Sequence, residues 1–393
     1  MITPFSIARL PAIEFGSGSF SRLPQIAGQF GSNVLLVAGG KSFLESRHWA
    51  WLRQHWQANA VHVSLCQIRG EPSPVWVDEV VAEFSNAKID VVIAIGGGSA
   101  LDAGKAVAGL LRLGRPVTDY LEGVGPELPY EGPAVPFIAV PTTAGTGSEA
   151  TKNAVLSVQG EDGYKKSFRS DQLIARYAVV DPELLETCPP ALIAANGMDA
   201  LTQLLESYVS TRANPFTDSL ALSGLTAVRK GLIEWYEKGA SAKEAQTQMA
   251  YASLLSGITL AQAGLGSVHG LASPLGAFFP IPHGVACGTL LAEATAVNIQ
   301  ALRGRDPQGL ALKKYAHAAS YLVEAGSATE RLDNLVFLFR QWTEDMKLPV
   351  LKKFGVTEEK LDQIVANSRG NSMKTNPIVL TDDEISHIVA ARI

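Results

Sequence analysis

The stretch Asp90-Val-Val-Ile-Ala-Ile-Gly-Gly-Gly-Ser99 constrains this chain most. After Asp90 the run is apolar without alternation, three glycines end it, and Ala100–Leu111 continues with helical spacing. A strand with no polar face must be covered on both sides, as in a parallel sheet flanked by helices. A glycine turn opening a helix offers free backbone N–H groups and the positive end of the helix dipole. It also lets an anionic oxygen approach the main chain. Gly96, Gly97, Gly98 and Ser99 are therefore candidate phosphate contacts, with Ser99 either capping the helix or donating to a phosphate. The alternative, a bare strand-to-helix turn, would carry the backbone entropy of three consecutive glycines with no ligand to offset it.

Other segments fit the same class. Asn33–Ala38 is a short apolar run, Val61–Cys66 alternates, and Pro136–Val140 and Tyr177–Val180 complete the set of expected strands. Gly16-Ser-Gly-Ser-Phe-Ser21 resembles a glycine fingerprint, but no strand is evident before it, and it reads as a turn. The Gly96 loop is not G-x-G-x-x-G, so the common dinucleotide fingerprint is absent there. After Pro182 the strand signal ends. Helices are expected at Ala191–Arg212, Phe216–Lys238, Ala242–Ala263, Val285–Ala301, Gly309–Ala325, Ser327–Lys347, Thr357–Ala366 and Asp382–Ala391, with Pro189-Pro190 and Asn214-Pro215 marking boundaries. At 393 residues two domains are expected. They are an α/β dinucleotide-binding domain over 1–185, with a Rossmann-like parallel sheet, and an all-helical metal and substrate domain over 186–393.

A second loop, Pro141-Thr-Thr-Ala-Gly-Thr-Gly-Ser-Glu149, follows the Pro136–Val140 strand and concentrates hydroxyls at its carboxyl end, where α/β proteins bind ligands. Thr142, Thr143 and Thr146 are candidate contacts to a pyrophosphate or ribose. The Asn33–Ala38 strand ends in Gly39-Gly40-Lys41-Ser42, with no carboxylate to bind a ribose 2′-hydroxyl or repel a 2′-phosphate. Gly39, Gly40 and Lys41 thus favour NADP(H) over NAD(H).

The helical half carries a second constellation. Asp199 and Gln203 are four apart on an expected helix and share a face. His269 and His283 lie in the Gly- and Pro-rich stretch Gly264–Gly284, His283 within Pro282-His283-Gly284, read as a tight turn. Carboxylate and imidazole suit one Fe(II) or Zn(II) acting as a Lewis acid, with Gln203 a weaker fourth ligand. The alternative is a surface carboxylate and two hydrogen-bonded core histidines. A nucleotide site together with a Lewis-acid site points to hydride transfer to or from a carbonyl.

Composition narrows the classes. With 47% hydrophobic and 18% charged residues and a net charge of −5, the chain reads as globular and not as a nucleic-acid binder. No secretory leader is evident, and no apolar run is long enough to span a bilayer. Three scattered cysteines suit a reducing cytoplasm, and Cys287, four residues after His283, reads as a buried inert thiol.

Gly96-Gly-Gly-Ser-Ala-Leu-Asp-Ala-Gly-Lys105, Pro141–Glu149, Asp181-Pro-Glu-Leu184, Gly197-Met-Asp-Ala-Leu-Thr202 and Gly264–Gly284 together resemble the iron-dependent, or group III, alcohol dehydrogenases, in family order and over most of the chain. The resemblance implies a dehydroquinate-synthase-like fold, a cleft holding nicotinamide beside the metal, and a homodimer. It also places Asp102 at the nicotinamide end and Leu184 at the cofactor. Two departures stand out. The family usually has Asp-x-x-x-His where this chain has Gln203, and often a further His where it has Ser273. The expected reaction is reduction of a small-molecule aldehyde, or oxidation of the alcohol, using Asp199, His269, His283 and Ser273. The apolar Leu275–Ile281 segment suggests an uncharged substrate. The alternatives are a metal-independent enzyme like maleylacetate reductase and a lyase like dehydroquinate synthase. The lyase would grip an acidic substrate with Lys165, Lys166 and Arg169. No nucleic-acid or membrane partner is expected.

Overall fold

The computed structural model describes residues 4–324 and 326–393. The Ala325 end of the expected Gly309–Ala325 helix and the first three residues of the leader reading lie outside them. The chain divides into two compact units, one of Ala8–Val158 and Lys165–Thr187, the other of Cys188–Ile393 with Gln159–Tyr164 and the residues up to Ile7.

The first unit is built on strands β1 (Ala12–Phe15), β2 (Asn33–Ala38), β3 (His62–Gln67), β4 (Val91–Gly96), β5 (Phe137–Pro141) and β8 (Tyr177–Val180), in the order β1-β8-β5-β4-β2-β3. Every pairing is parallel, with Leu36 opposite Ile93 and Ile93 opposite Ile138. All six residues of β4 are buried, as an apolar run without alternation requires. Strands β6 (Asn153–Val158) and β7 (Tyr164–Arg169) form a separate two-stranded ribbon. The chain leaves β2 toward β3 and returns across it to β4, so the topological switch point lies between the carboxyl ends of β2 and β4. Ligands of open α/β sheets bind at such points. A strand, β1, does precede Gly16, and the Gly16–Gly18 turn then leads into a short 3-10 helix, Ser19–Arg22. Four residues of half-exposed alternating type carried too little pattern to be read as that strand.

The helix Gly98–Leu110 lies against this sheet at close range. A Cβ on Gly104 would sit 2.7 Å from the Ala94 Cβ and 3.2 Å from a Phe137 ring carbon.

The second unit is helical: Pro190–Val209, Pro215–Lys238, Lys243–Ala263, Ser267–Phe278, His283–Arg305, Leu310–Leu322, Ala328–Asp345, Leu361–Asn367 and Asp382–Ala390. Pro190 and Pro215 each occupy the first helical turn, where the missing N–H costs nothing. Asn214 and Thr217 close a reciprocal cap, as do Ser327 with Glu330 and Thr381 with Glu384. Two expectations are corrected here. Ser267–Phe278 is a helix despite its glycines and Pro274. His283 is the first residue of the His283–Arg305 helix, not part of an isolated turn. Core packing of Val268, Leu271, Ala272 and Leu275 against Ala286, Leu290 and Ala294 overrides the weak helix propensity of that stretch. The His283–Arg305 helix is also long and apolar enough to cross a membrane by length and composition, but 78% of that window is buried inside the protein.

Because Gly104 is pressed against β4, Gly104→Val should overpack the helix–sheet interface and lower stability by about 1–3 kcal/mol. The check is the urea midpoint followed by far-UV circular dichroism, which should fall with no change in slope.

Candidate metal centre and nucleotide loops

The helix Pro190–Val209 carries Asp199, Gln203 and Glu206 on its buried side, and all three are nine-tenths or more covered. Ser267–Phe278 brings His269, and His283–Arg305 brings His283 with Cys287 one turn later. One donor atom from each of Asp199, His269, His283 and Cys287 lies within 4.8 Å of the others. His269 Nε2 is 3.2 Å from Asp199 Oδ1, and His283 Nε2 is 3.9 Å from it. Cys287 Sγ is 3.7 Å from both Nε2 atoms. The two imidazole centroids are 5.5 Å apart.

Asp199 is fully buried, yet neither carboxylate oxygen has a hydrogen-bond partner of normal geometry. An ionised carboxylate in that state costs several kcal/mol unless a positive charge faces it. Burial alone would raise its pKa, but His283 and His269 outweigh this and hold it below the usual value. The same field acts on His269: burial would lower its pKa, and Cys287, Asp199 and Glu206 reverse this and lift it well above that of a free imidazole. Burial pushes the Cys287 thiol up to about 12, against the opposing pull of His269. The cluster is thus an anionic hole ringed by nitrogen, oxygen and sulfur donors, and it fits a divalent cation. His283 has the most exposed side chain of the group, at 27%, against 0% for Asp199 and 6% for His269. His283 is therefore the member of the cluster that solvent reaches most.

Two members escaped the sequence reading. Glu206 Oε2 pairs with His269 Nδ1 at 2.7 Å, and its Oε1 accepts the Val268 N–H at 2.7 Å. That carboxylate fixes the imidazole with Nδ1 protonated and Nε2 turned toward Asp199, as in the carboxylate–histidine–metal arrangement. The available signal was its place seven residues after Asp199, on the same helical face. Cys287 was read as inert. Its place four residues after His283 on a continuous helix is what turns it into the cluster, and that helix begins at His283, two residues before the expected Val285. Gln203 is buried, and its Oε1 accepts the Ser256 hydroxyl at 2.6 Å. Ser273 is half-buried, one turn after His269 on the same helix. Leu275, Phe279 and Ile281 belong to the hydrophobic core, and Phe278 packs partly buried against it.

In the first unit, the glycine loops converge at the switch point. Gly39 donates to Ile95 O at 2.9 Å, and Thr142 N–H to Gly96 O at 2.9 Å. A Cβ on Gly98 would lie 2.6 Å from Thr146 Cγ2, and one on Gly97 would lie 3.2 Å from Thr143 Oγ1. Gly97 is the N-cap of the following helix, so Ser99 lies inside the first turn and does not cap it. Gly97, Gly98, Ser99, Thr142, Thr143 and Thr146 all remain partly exposed, and Gly40 and Lys41 are exposed. Asp102 accepts from Ser148 Oγ at 2.5 Å and from Val155 N–H at 3.1 Å, and the fully buried Lys105 Nζ lies 3.4 Å from it. Lys105 also donates to the Ser148 and Asn153 carbonyls and the Ser148 and Thr151 hydroxyls at 2.8–2.9 Å. Asp102 and Lys105 thus tie the helix to the Ser148–Asn153 segment. Burial lowers the Lys105 pKa and lifts that of the neighbouring buried Glu149 to about 7. Leu184 sits in the hydrophobic core of this unit. Lys165 pairs with Glu71, and Arg169 with Glu122 at 2.7 Å, so two of the three bases considered for an acidic substrate already face carboxylates.

An open parallel sheet with glycine loops at its switch point, together with a buried carboxylate–imidazole–thiol cluster, defines a nucleotide-using, metal-assisted enzyme. The sequence profile of iron-containing alcohol dehydrogenase matches residues 11–182, and that of the Fe-containing alcohol dehydrogenase family, C-terminal, matches 193–393. Alcohol dehydrogenase 4 of Schizosaccharomyces pombe is 38% identical over 391 residues, covering 98% of this chain and 88% of that protein. The NADPH-dependent butanol dehydrogenase of Clostridium saccharobutylicum is 32% identical over 386 residues, covering 96% and 95%. The crystal structure of a 1,3-propanediol oxidoreductase matches over 100% of both chains with a TM-score of 0.89 at 27% identity. The chain belongs to the iron-containing alcohol dehydrogenase family, and is a metal-assisted, nicotinamide-dependent oxidoreductase acting on CH–OH groups.

Glu206→Gln replaces one of two acceptors with a donor, against either Val268 N–H or His269 Nδ1. Metal affinity should fall by about 10- to 100-fold, read by titrating the chelator-stripped protein with Zn(II) and comparing dissociation constants.

Proposed function

We propose that the chain is an NADPH-preferring aldehyde reductase, reversible to alcohol oxidation, with one Fe(II) or Zn(II) held in the helical domain 186–393 and the dinucleotide in the α/β domain 1–185. The observation that carries this reading is the fully buried Asp199 carboxylate, which makes no hydrogen bond of normal geometry among the described residues and faces two imidazoles. When bound, the cation polarises the substrate carbonyl and the nicotinamide C4 exchanges the hydride.

The chain's own residues do the rest. Asp199, His269 and His283 hold the cation, and Glu206 fixes the His269 ring. Ser273, one turn along the same helix, relays a proton from solvent water to the emerging alkoxide, donating its own proton as it accepts one from water, and runs the relay in reverse in the oxidising direction. The amides of Gly96–Ser99 receive the pyrophosphate at the start of a 13-residue helix. Thr142, Thr143 and Thr146 hold the ribose side, with Asp102 toward the nicotinamide end and Leu184 a further cofactor contact. Gly39 and Gly40 leave room at the end of β2, and the exposed Lys41 faces the 2′-phosphate. A homodimer is supported by the family resemblance. A cytoplasmic setting is supported by three cysteines that are all free thiols.

Stripping the metal with a chelator should abolish NADPH oxidation across an aldehyde panel, and stoichiometric Zn(II) or Fe(II) should restore it. Full activity in protein shown by elemental analysis to hold no metal would sink the Lewis-acid reading. For the cofactor, Lys41→Glu should raise the KM for NADPH by roughly tenfold or more, the loss of one charge-assisted contact plus a repulsion. The KM for NADH should stay within about twofold, since NADH has no 2′-phosphate for that charge to meet. Equal effects on both cofactors would remove Lys41 from the 2′-phosphate site.

A further inference from the structure

The geometry points to Cys287, as a thiolate, as the fourth protein ligand of the metal centre, in the role the sequence assigned to Gln203, and to a site that consequently favours Zn(II) over Fe(II). This rests on the metal-centre reading above and goes beyond it by fixing the ligand set.

Cys287 is fully buried, and its sulfur lies 3.7 Å from each of the two imidazole Nε2 atoms. A tetrahedral zinc ion with ordinary bond lengths has N···S edges of about 3.6 Å and N···O edges of about 3.3 Å. The observed N···S separations match the first edge. The His269–Asp199 separation of 3.2 Å matches the second, with the His283–Asp199 edge somewhat longer at 3.9 Å. The donors come from three separate helices, and Cys287 shares its helix with His283 at one-turn spacing, so one rigid element sets both. The amide oxygen of Gln203, the only atom of that side chain suited to a metal, instead receives the Ser256 hydroxyl at 2.6 Å. Asp199 points independently to a cation site, because its fully buried carboxylate makes no hydrogen bond of normal geometry among the described residues and instead faces the imidazole edges of His269 and His283. Replacing a carbonyl oxygen by sulfur softens the donor set, and soft thiolate ligands select Zn(II).

The test uses the full chain, stripped of metal and titrated anaerobically with Co(II), which substitutes for Zn(II) and reports its ligands spectroscopically. One equivalent should bind, and a sulfur-to-cobalt charge-transfer band should appear in the near ultraviolet. Cys287→Ser should lose that band while still binding Co(II) more weakly, and Gln203→Ala should keep it. In Zn(II)/Fe(II) competition, Cys287→Ser should narrow the preference for Zn(II) by roughly tenfold or more, a selective change that a packing role for the thiol would not produce. One bound Co(II) without the band in the unaltered chain would overturn the ligand assignment and leave the metal reading standing. A band retained in Cys287→Ser would also overturn it. Failure of the unaltered chain to bind any Co(II) would overturn both together.

Discussion

The second unit is organised around one unfavourable object, the Asp199 carboxylate sealed in a helical core. Without compensation it would cost several kcal/mol, a large fraction of the net stability of any domain. The surrounding chain is arranged to supply that compensation. Two imidazoles approach from the consecutive helices Ser267–Phe278 and His283–Arg305, some way along the chain from Asp199, and Glu206 holds one of them in register from the same helix as Asp199. These contacts require Pro190–Val209, Ser267–Phe278 and His283–Arg305 to pack closely. Small residues make that possible: a Cβ on Gly284 would lie 2.8 Å from the Ala195 carbonyl oxygen, and one on Gly288 would lie 2.9 Å from the Met198 Cβ.

The first unit solves a different problem. Its glycines do two jobs at once, and only one of them concerns a ligand. Gly96 faces Gly39 across the switch point, and Gly97 and Gly98 face Thr143 and Thr146, so side chains there would collide with the neighbouring loops whatever is bound. Gly97, Gly98 and Ser99 at the helix start nevertheless stay partly exposed. Packing and phosphate recognition therefore place the same demand on the sequence, and a glycine count cannot separate them. The strand order can, because it puts these loops at the point where an open sheet has its crevice.

The parallel strands β2, β4, β5 and β8 were legible because each is an apolar run or a short apolar segment ended by glycine, proline or aspartate. The long helices were legible from period and proline placement. What escaped had a common cause. Strand β1 is half-exposed, β7 is polar enough to pass for a loop, β6 is a short mixed segment beside it, and Ser267–Phe278 carries Gly270, Pro274 and Gly276, which argue locally against a helix. In each case tertiary contacts decide the outcome over local preference. The site followed the same division. Asp199, His269 and His283 could be paired from residue type and the family pattern. Cys287 could not, because its role depends on where a helix begins, and Glu206 acts only through another residue.

The exchange of donors has a consequence for the chemistry. A set of one carboxylate and neutral imidazoles leaves a divalent cation with a net charge of +1. With Cys287 as thiolate, the set of Asp199, Cys287 and two imidazoles neutralises it, and Glu206 adds a further negative charge through His269. A neutral centre polarises a carbonyl less strongly than a cationic one, since the developing alkoxide charge finds no net positive partner. It would also hold hard oxygen ligands less tightly. Such a centre suits carbonyls that are already electrophilic and need positioning more than activation. The change from imidazole at one helix to sulfur at another thus preserves the number of donors while shifting catalysis from Lewis acidity toward placement.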